Sequence, residues 1–444
     1  MTFNGPIGDL IKFSIGGGWG SDAERSGYSE VAIIRGTDIP KVAMGDVSTV
    51  PRRFESSKKL INRLLKSGDI VLETAGGSSA KGQFTGRTLL VSDDMLQSLG
   101  PTICASFCKR LELNTALVEP GYFYWYMQDL YNSGRVAVYD SQSTGISNFQ
   151  FSSFLESEFL NLPDLATQRA IAISLSSVNS LIKSNLETAQ LLEEIAQTIF
   201  KSWFIDFDPV KAKMAGEKPV GMDDATAALF PDLMQDSELG PIPKGWKLSQ
   251  IGDEVECVGG STPSTSNSEF WDGDICWTTP KDLSKQIGLI TTTSERRITS
   301  KGLEKISSGI LPVNSVLMSS RAPIGYLSVN AVPSAINQGF IALRQNPRFA
   351  SLYLLFWLQT NMAEIKNRAG GGTFAEISKS AFKSIPFVVP DEGILKKYDE
   401  VSEPILLQLV ALTFQNQKLV ELRDSLLPRL ISGERQIPEE MLVS

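Results

Sequence analysis

The 444-residue chain contains no histidine. That absence removes Ser-His-Asp and Cys-His chemistry, imidazole-held metals and the commonest general base together. Its four cysteines, Cys104, Cys108, Cys257 and Cys276, form no paired framework and fit a reducing compartment. Cys104 and Cys108 would share one face if their stretch were helical, but zinc would then need nearly all four thiolates, at a spacing unlike C-x2-C. They read as structural free thiols. No Pro-Pro occurs, so there is no Asn/Asp-Pro-Pro-aromatic motif. Gly77 and Gly82 have the spacing of a phosphate loop, yet Gln83-Phe84 stands where Lys-Ser/Thr is required. The run Gly16 to Gly20 has Ser21 where the last glycine of G-x-G-x-x-G belongs. The sole Glu-x-Lys, at 364–366, follows no Pro-Asp at a nuclease-like distance. An enzyme active site is not expected. No long apolar run is present either: residues 352–358 fall far short of the roughly 20 needed to span a bilayer. With no basic-then-apolar leader at the N-terminus, the reading is cytoplasmic, with no membrane partner.

What the chain does have is repetition. The segment GGGWGSDAERSGYSEVAIIRGTDI at 16–39 returns as GGSTPSTSNSEFWDGDICWTTPKDL at 259–283. Each copy is followed by a paired arginine (Arg52-Arg53, Arg296-Arg297) and a strand-like run (68–72, 314–318). A small-residue cluster (143–145, 370–374), a Pro-Asp (163–164, 390–391) and a long helical stretch come next. A repeat longer than two hundred residues makes a two-lobed monomer rather than a solenoid. Such a molecule suits a target with two halves.

Between Asp164 and Asp208 there is neither glycine nor proline. Ile171, Leu175, Val178, Ile182, Ala189, Leu192, Ala196, Ile199 and Trp203 recur at steps of about three and four, the seam of a coiled coil. Ile405, Leu409, Leu412, Leu419 and Leu426 repeat the pattern, with Pro404 expected near the start of the unbroken portion. Each seam has one polar interruption, Asn185 and Asn416. Set opposite one another in an antiparallel pair, they bring Ile182 to Leu419, Ala189 to Leu412, Leu192 to Leu409 and Ala196 to Ile405. The alternative is that both asparagines face solvent at the seam's edge. The expected class is therefore α+β: two pseudo-symmetric mixed α/β lobes, at 1–163 and 245–390, separated by two long antiparallel helices. A helix plus ordered connector fills 164–244, and a helix and tail fill 391–444.

Net charge is −8, which argues against indiscriminate adsorption to nucleic acid. The charge is uneven. Residues 245–390 hold 14 basic against 11 acidic residues, whereas 391–444 hold 6 against 10. In the first lobe Arg52, Arg53, Lys58, Lys59, Arg63 and Lys66 form a basic run, matched by Arg296, Arg297, Lys301 and Lys305 in the second. Such positions suit phosphate anchoring, though a solvated helix face is the plainer explanation. Base reading would draw on loop residues: Trp19, Ser21, Arg35, Lys81, Gln83 and Arg87, then Thr262, Ser264, Lys281, Ser320, Arg321, Asn337 and Gln338.

The segments FKSWFIDFDPVKAKMAG (200–216), GMDDATAALFPDLMQDSELGPIPKGW (221–246), ILPVNSVLMSSRAPIGYLSVNAVPSAINQGFIAL (310–343), GGGTFAEISKSAFKSIPFVVP (370–390) and SLLPRLISGE (425–434), with the 259–283 repeat, resemble one family. It is the DNA specificity subunit of type I restriction-modification systems, and the resemblance covers essentially the whole chain. It implies two target-recognition domains, each reading half of an asymmetric bipartite site in double-stranded DNA, with the helices as spacer. It implies a subunit without a catalytic centre or bound cofactor. Two modification subunits, using S-adenosylmethionine, and restriction subunits, using ATP and Mg, would be its partners. The first Pro-Asp continues Leu-Ala-Thr-Gln-Arg, close to the family pattern, whereas the second continues Glu-Gly-Ile-Leu-Lys, which puts equal contact of both junctions with the modification subunits in doubt. Alternatives are a related system with fused modification and cleavage functions, or a scaffold that binds only proteins.

Overall fold

The computed structural model describes residues 3–76, 84–143, 146–321, 323–371 and 375–438. It resolves into two compact units, residues 1–183 with 418–444 and residues 184–417.

In the first unit, Ile11–Gly16, Cys108–Leu113, Ile70–Glu73 and Thr88–Leu90 form an antiparallel four-stranded sheet in that order. Ile70–Glu73 is buried throughout, as an apolar run without alternation implies for a central strand. A second sheet orders Arg52–Ser56, Tyr28–Ile34 and Thr102–Cys104, the last pair parallel. Phe3–Pro6 pairs antiparallel with Phe159–Leu162, which closes the lobe just before the first long helix, Leu165–Phe204.

The second unit repeats this plan. Cys257–Gly259, Phe340–Leu343, Val316–Ser319 and Leu327–Asn330 are ordered alike, with Ile290–Thr291 added parallel at the edge. Arg296–Ile298, Trp271–Thr278 and Ser334–Ile336 form the three-stranded sheet, again with one parallel pair. Lys247–Gln250 pairs with Pro386–Val389 to close the lobe.

The shared glycines have a steric cause. A Cβ on Gly17 would lie 2.2 Å from the carbonyl oxygens of Cys104 and Ala105. On Gly260 it would lie 1.9 Å from that of Ile336. Only hydrogen fits at either crossing. Because Cys104 pairs with Ile34 and Ile336 with Thr278, this match also sets the arginine register. Arg52 faces Ala32 and corresponds to Arg297, which faces Cys276; Arg53 corresponds to Ile298. The arginine pairs share a strand but are offset by one residue, so Arg52 and Arg297 take one face while Arg53 and Arg296 take the other at positions two residues apart.

The first long helix starts on an acid. Asp164 Oδ1 accepts the N–H groups of Ala166 and Thr167 at 2.9 and 3.0 Å, and these hydrogen bonds hold its carboxyl below the usual range. At its other end Phe200, Trp203 and Phe204 enter an aromatic cluster with Phe230, Trp246, Tyr353 and Tyr398. The connector is ordered around this cluster. It contributes Phe230 after the short helix Asp224–Leu229, and Lys213 caps the carbonyls of Ala227 and Phe230. The second long helix, Glu392–Ile431, runs unbroken through Pro404, so the expectation that Pro404 marks its start is corrected. The helix forgoes one backbone hydrogen bond there.

Within the second unit Asn185 Nδ2 donates to Asn416 Oδ1 at 2.8 Å. Ala189 and Leu192 are half-buried against the same core that takes in Leu409, and Leu412 is buried. Within the first unit Arg423 donates to Asn179 Oδ1 at 3.1 Å; Ile182 is buried and Leu419 half-buried. Cys104 and Cys108 lie on two strands rather than one helix, which removes the shared face.

Gly17→Ala and Gly260→Ala should each destabilise their unit by about 3 kcal/mol or more, since backbone must move to admit the methyl. Thermal melting of the two variants checks this. Asn185→Ala should cost about 1 kcal/mol, with most of the loss shared by Asn416→Ala in a double-mutant cycle. A coupling near zero would contradict the hydrogen bond.

Candidate nucleic-acid interface

The basic and polar residues nominated from sequence separate into groups once placed. Two arginines of the N-terminal lobe are committed internally. Arg35 donates from Nε and Nη2 to Asp38 at 2.8 Å each, and from Nη2 to the Thr49 carbonyl at 2.7 Å. Burial alone would push the Asp38 carboxyl up, but the hydrogen bonds from Arg35 and Thr49 outweigh it and hold the carboxyl low. Arg87 makes the same bidentate contact with buried Glu73, at 2.8 and 2.6 Å. Both forks are filled, so these two side chains hold strands and loops together.

The paired arginines differ from each other. Arg52 is about half exposed, donating to the Leu99 carbonyl at 3.0 Å and to Glu30 at 3.2 Å. Arg53 is largely buried: its guanidinium lies 4.6 Å from the Trp19 ring centre, while Nε donates to the Trp19 carbonyl at 2.6 Å and Nη1 to Asp22. Trp19 is thereby pinned, with 42% of its surface exposed. On the short helix Ser57–Arg63, Lys58 is exposed without an ion pair among the described residues, and Lys59 stands 3.7 Å from Glu55. Lys81 and Gln83 lie outside the described residues.

The C-terminal lobe builds a different surface on the same strands. Exposed Arg296 stacks 3.4 Å from the ring centre of Trp271, which meets Trp277 edge-on at 5.0 Å. The indole N–H groups donate to the Ser264 and Ser261 carbonyls, tying both rings to the glycine loop. Arg297 reaches the Asp274 carbonyl at 3.2 Å. Lys301 pairs with Glu269 at 3.3 Å. Lys281 and Lys285 both hold Glu295, each at 2.9 Å, and these hydrogen bonds lower its carboxyl to about 2. Thr262 donates to Gln338, which is exposed at the loop tip. Asn337 Oδ1 caps the Gly339 N–H at 2.9 Å, and Arg321 stands 3.5 Å from Glu376.

Ser320 is a correction. It is buried, with its N–H bonded to the Gly339 carbonyl and its own carbonyl accepting from Ile377, so it is packed inside the loop rather than presented to a base. Sequence reasoning also passed over Trp271, Trp277 and Glu55. A Trp-x5-Trp spacing on a strand before paired arginines is the available signal for the first two; Glu55, an acid within the basic run 52–66, carries none of its own.

All four cysteines are buried and free, and burial raises the thiols of Cys104 and Cys257 to about 12 and that of Cys108 further. Among the described residues no group of three metal-ligating side chains assembles, and no helix is long and apolar enough to cross a membrane.

Glu295→Gln should release Lys281 and Lys285. Binding of the full chain to non-specific duplex should tighten at low salt, and the log–log salt dependence should steepen by up to about 1.8. An unchanged slope would place these lysines away from the duplex.

Residues 243–421 match the family described as the type I restriction modification DNA specificity domain. The chain is 27% identical, over 92% of its own length and 95% of the relative's, to the type I restriction enzyme HindI specificity subunit of Haemophilus influenzae. It is 38% identical to the MjaIX specificity subunit of Methanocaldococcus jannaschii, over 38% of this chain and 41% of that one. In fold it is similar to the crystal structure of the type I restriction-modification S subunit from M. genitalium, with a TM-score of 0.55 at 14% identity, covering 97% and 96% of the two chains. Two lobes of one topology, each leading into a 40-residue helix, agree with these likenesses, and residues 243–421 belong to the DNA specificity domain family of type I restriction-modification systems.

Proposed function

We propose that the two lobes read different halves of one asymmetric, bipartite DNA sequence. The supporting observation is a common scaffold with unlike surfaces. The strand that presents Arg53 against Trp19 in one lobe presents Arg296 against Trp271 in the other, two residues out of register. Identical half-sites would favour identical surfaces; unlike half-sites require different ones. In this reading residues 1–163 and 245–390 are the target-recognition domains. The helix and connector of 164–244, with the helix and tail of 391–444, form the spacer element.

Exposed cations such as Lys58 and Arg297 fix the protein on the phosphate backbone, and loop residues such as Trp19, Thr262 and Gln338 meet base edges. A good bidentate base contact discriminates by about 1 to 3 kcal/mol. The two long helices set the gap between half-sites. Each has 40 residues, about 60 Å at 1.5 Å per residue. The chain carries no catalytic centre and no cofactor of its own. Two modification subunits take S-adenosylmethionine and methylate an adenine near each half-site, which has to leave the base stack to be reached. Restriction subunits using ATP and Mg cleave through the same complex, in the cytoplasm.

Sequencing N6-methyladenine in a host expressing this chain with its neighbouring modification subunit tests the reading. A bipartite motif present only with this chain supports it and reveals both half-sites and their gap. No motif from an assembled complex whose modification subunit is active would favour a protein-binding scaffold. Lengthening both long helices by whole turns should lengthen the recognised gap and leave both half-sites unchanged; an unaltered gap would remove the spacer role.

A further inference from the structure

The N-terminal lobe has an open cleft of about 620 Å³ between its glycine loop and the helix Ser57–Arg63. Its lining includes four cations, Arg25, Arg53, Lys59 and Arg63, against two carboxylates, Asp22 and Glu55, in a chain of net charge −8. The two carboxylates do different things. Asp22 is hydrogen-bonded to Arg53, which also spends its Nε on Trp19. Glu55 is 3% exposed and stands 3.7 Å from Lys59 and 3.6 Å from Arg63, too far to use up their donors. It holds both cations over the cleft while leaving their hydrogen-bonding capacity open. Arg25 is exposed, 6.0 Å from the Tyr28 ring centre, with no ion pair among the described residues.

We infer that this cleft holds a backbone phosphate of duplex DNA, gripped by Arg25, Lys59 and Arg63, with Glu55 as the positioning residue beneath them. The assignment rests on the DNA-reading role proposed above and deepens it. An adenine or cytosine edge presents a donor that neither carboxylate can meet, one being buried and the other already engaged. A guanine edge, though all acceptor in the major groove, carries no charge to answer three cations. A phosphate presents acceptors alone and asks for the donors left open here. Gly18 makes the arrangement possible, since a Cβ there would lie 2.7 Å from Glu55 Oε2 and 2.8 Å from Arg63 Nη1. The C-terminal lobe has Ser261 at the matching position, its hydroxyl bonded to the Lys305 carbonyl, and its nearby Lys301 is held by Glu269. The grip therefore belongs to one lobe, and the two half-sites are held with unequal dependence on salt.

The test measures binding of the cognate duplex across a salt series, using the full chain assembled with its modification subunits. Arg25→Gln, Lys59→Gln and Arg63→Gln should each weaken binding about three- to tenfold and reduce the salt slope by about 0.9, with the methylated motif unchanged. Glu55→Gln should weaken binding without removing a full unit of slope. Arg25 is exposed, so its variant remains informative if Arg63→Gln impairs folding, which melting curves reveal. A motif relaxed at one base of the first half-site would make the cleft a base reader and overturn the proposal; so would unchanged slopes. Titration with inorganic phosphate separates the other source: tight binding lost in the variants, with DNA affinity intact, assigns the cleft to free phosphate. If the wild-type complex shows no motif, the DNA-reading role itself fails; if it shows one and only the variants behave as wild type, the cleft assignment alone falls.

Discussion

A 40-residue helix with an apolar seam does not persist in water unless something covers the seam, and this constraint organises the molecule. Isolated helices gain too little from hydrogen bonds alone to hold their shape; packing of one face supplies the rest. In the second unit the end of the first long helix is sealed by aromatic rings from a lobe helix, the connector and the second long helix. In the first unit Ile171 and Leu175 share a core with Trp125, Leu427 and Leu430. An apolar seam alone would tolerate sliding by a turn. The hydrogen bond between Asn185 and Asn416 penalises it, because a shifted pair would leave two half-buried amides facing hydrocarbon.

Two lobes of one topology are separated in chemistry by small changes of register. The glycine crossings at Gly17 and Gly260 are common to both lobes, while the strand faces and loops around them differ. A one-residue offset of the paired arginines is enough. It leaves Arg53 against Trp19, with Nε and Nη1 engaged by Trp19 and Asp22, and Arg296 against Trp271, where the guanidinium stays exposed. The same scaffold thus presents two surfaces without a change of fold.

The electrostatics follow a related economy. Many cations are paired with acids of their own unit: Arg35 with Asp38, Arg87 with Glu73, Lys281 and Lys285 with Glu295, Lys301 with Glu269. A net charge of −8 keeps non-specific attraction to DNA low. Affinity must then come from the places where a donor remains open, which favours discrimination over adhesion.

The repeat, the two helices and the absence of an imidazole were readable along the chain because periodicity and composition are linear properties. So was the polar interruption in each seam, which counting alone placed at Asn185 and Asn416. The commitments of individual cations were not readable. Arg35 and Arg87 look like any loop arginine until folding brings Asp38 and Glu73 into their forks, and Ser320 looks like a loop hydroxyl until Gly339 and Ile377 close over it. Pro404 reads as a helix start because its ring lacks a donor, yet the helix runs through it, held by buried Tyr398 and Leu406 on either side along the helix. Sequence by itself determined the two-lobed plan and the family resemblance; tertiary structure decided which charges face outward, because a donor's availability depends on neighbours that are distant in the chain and adjacent only in the fold.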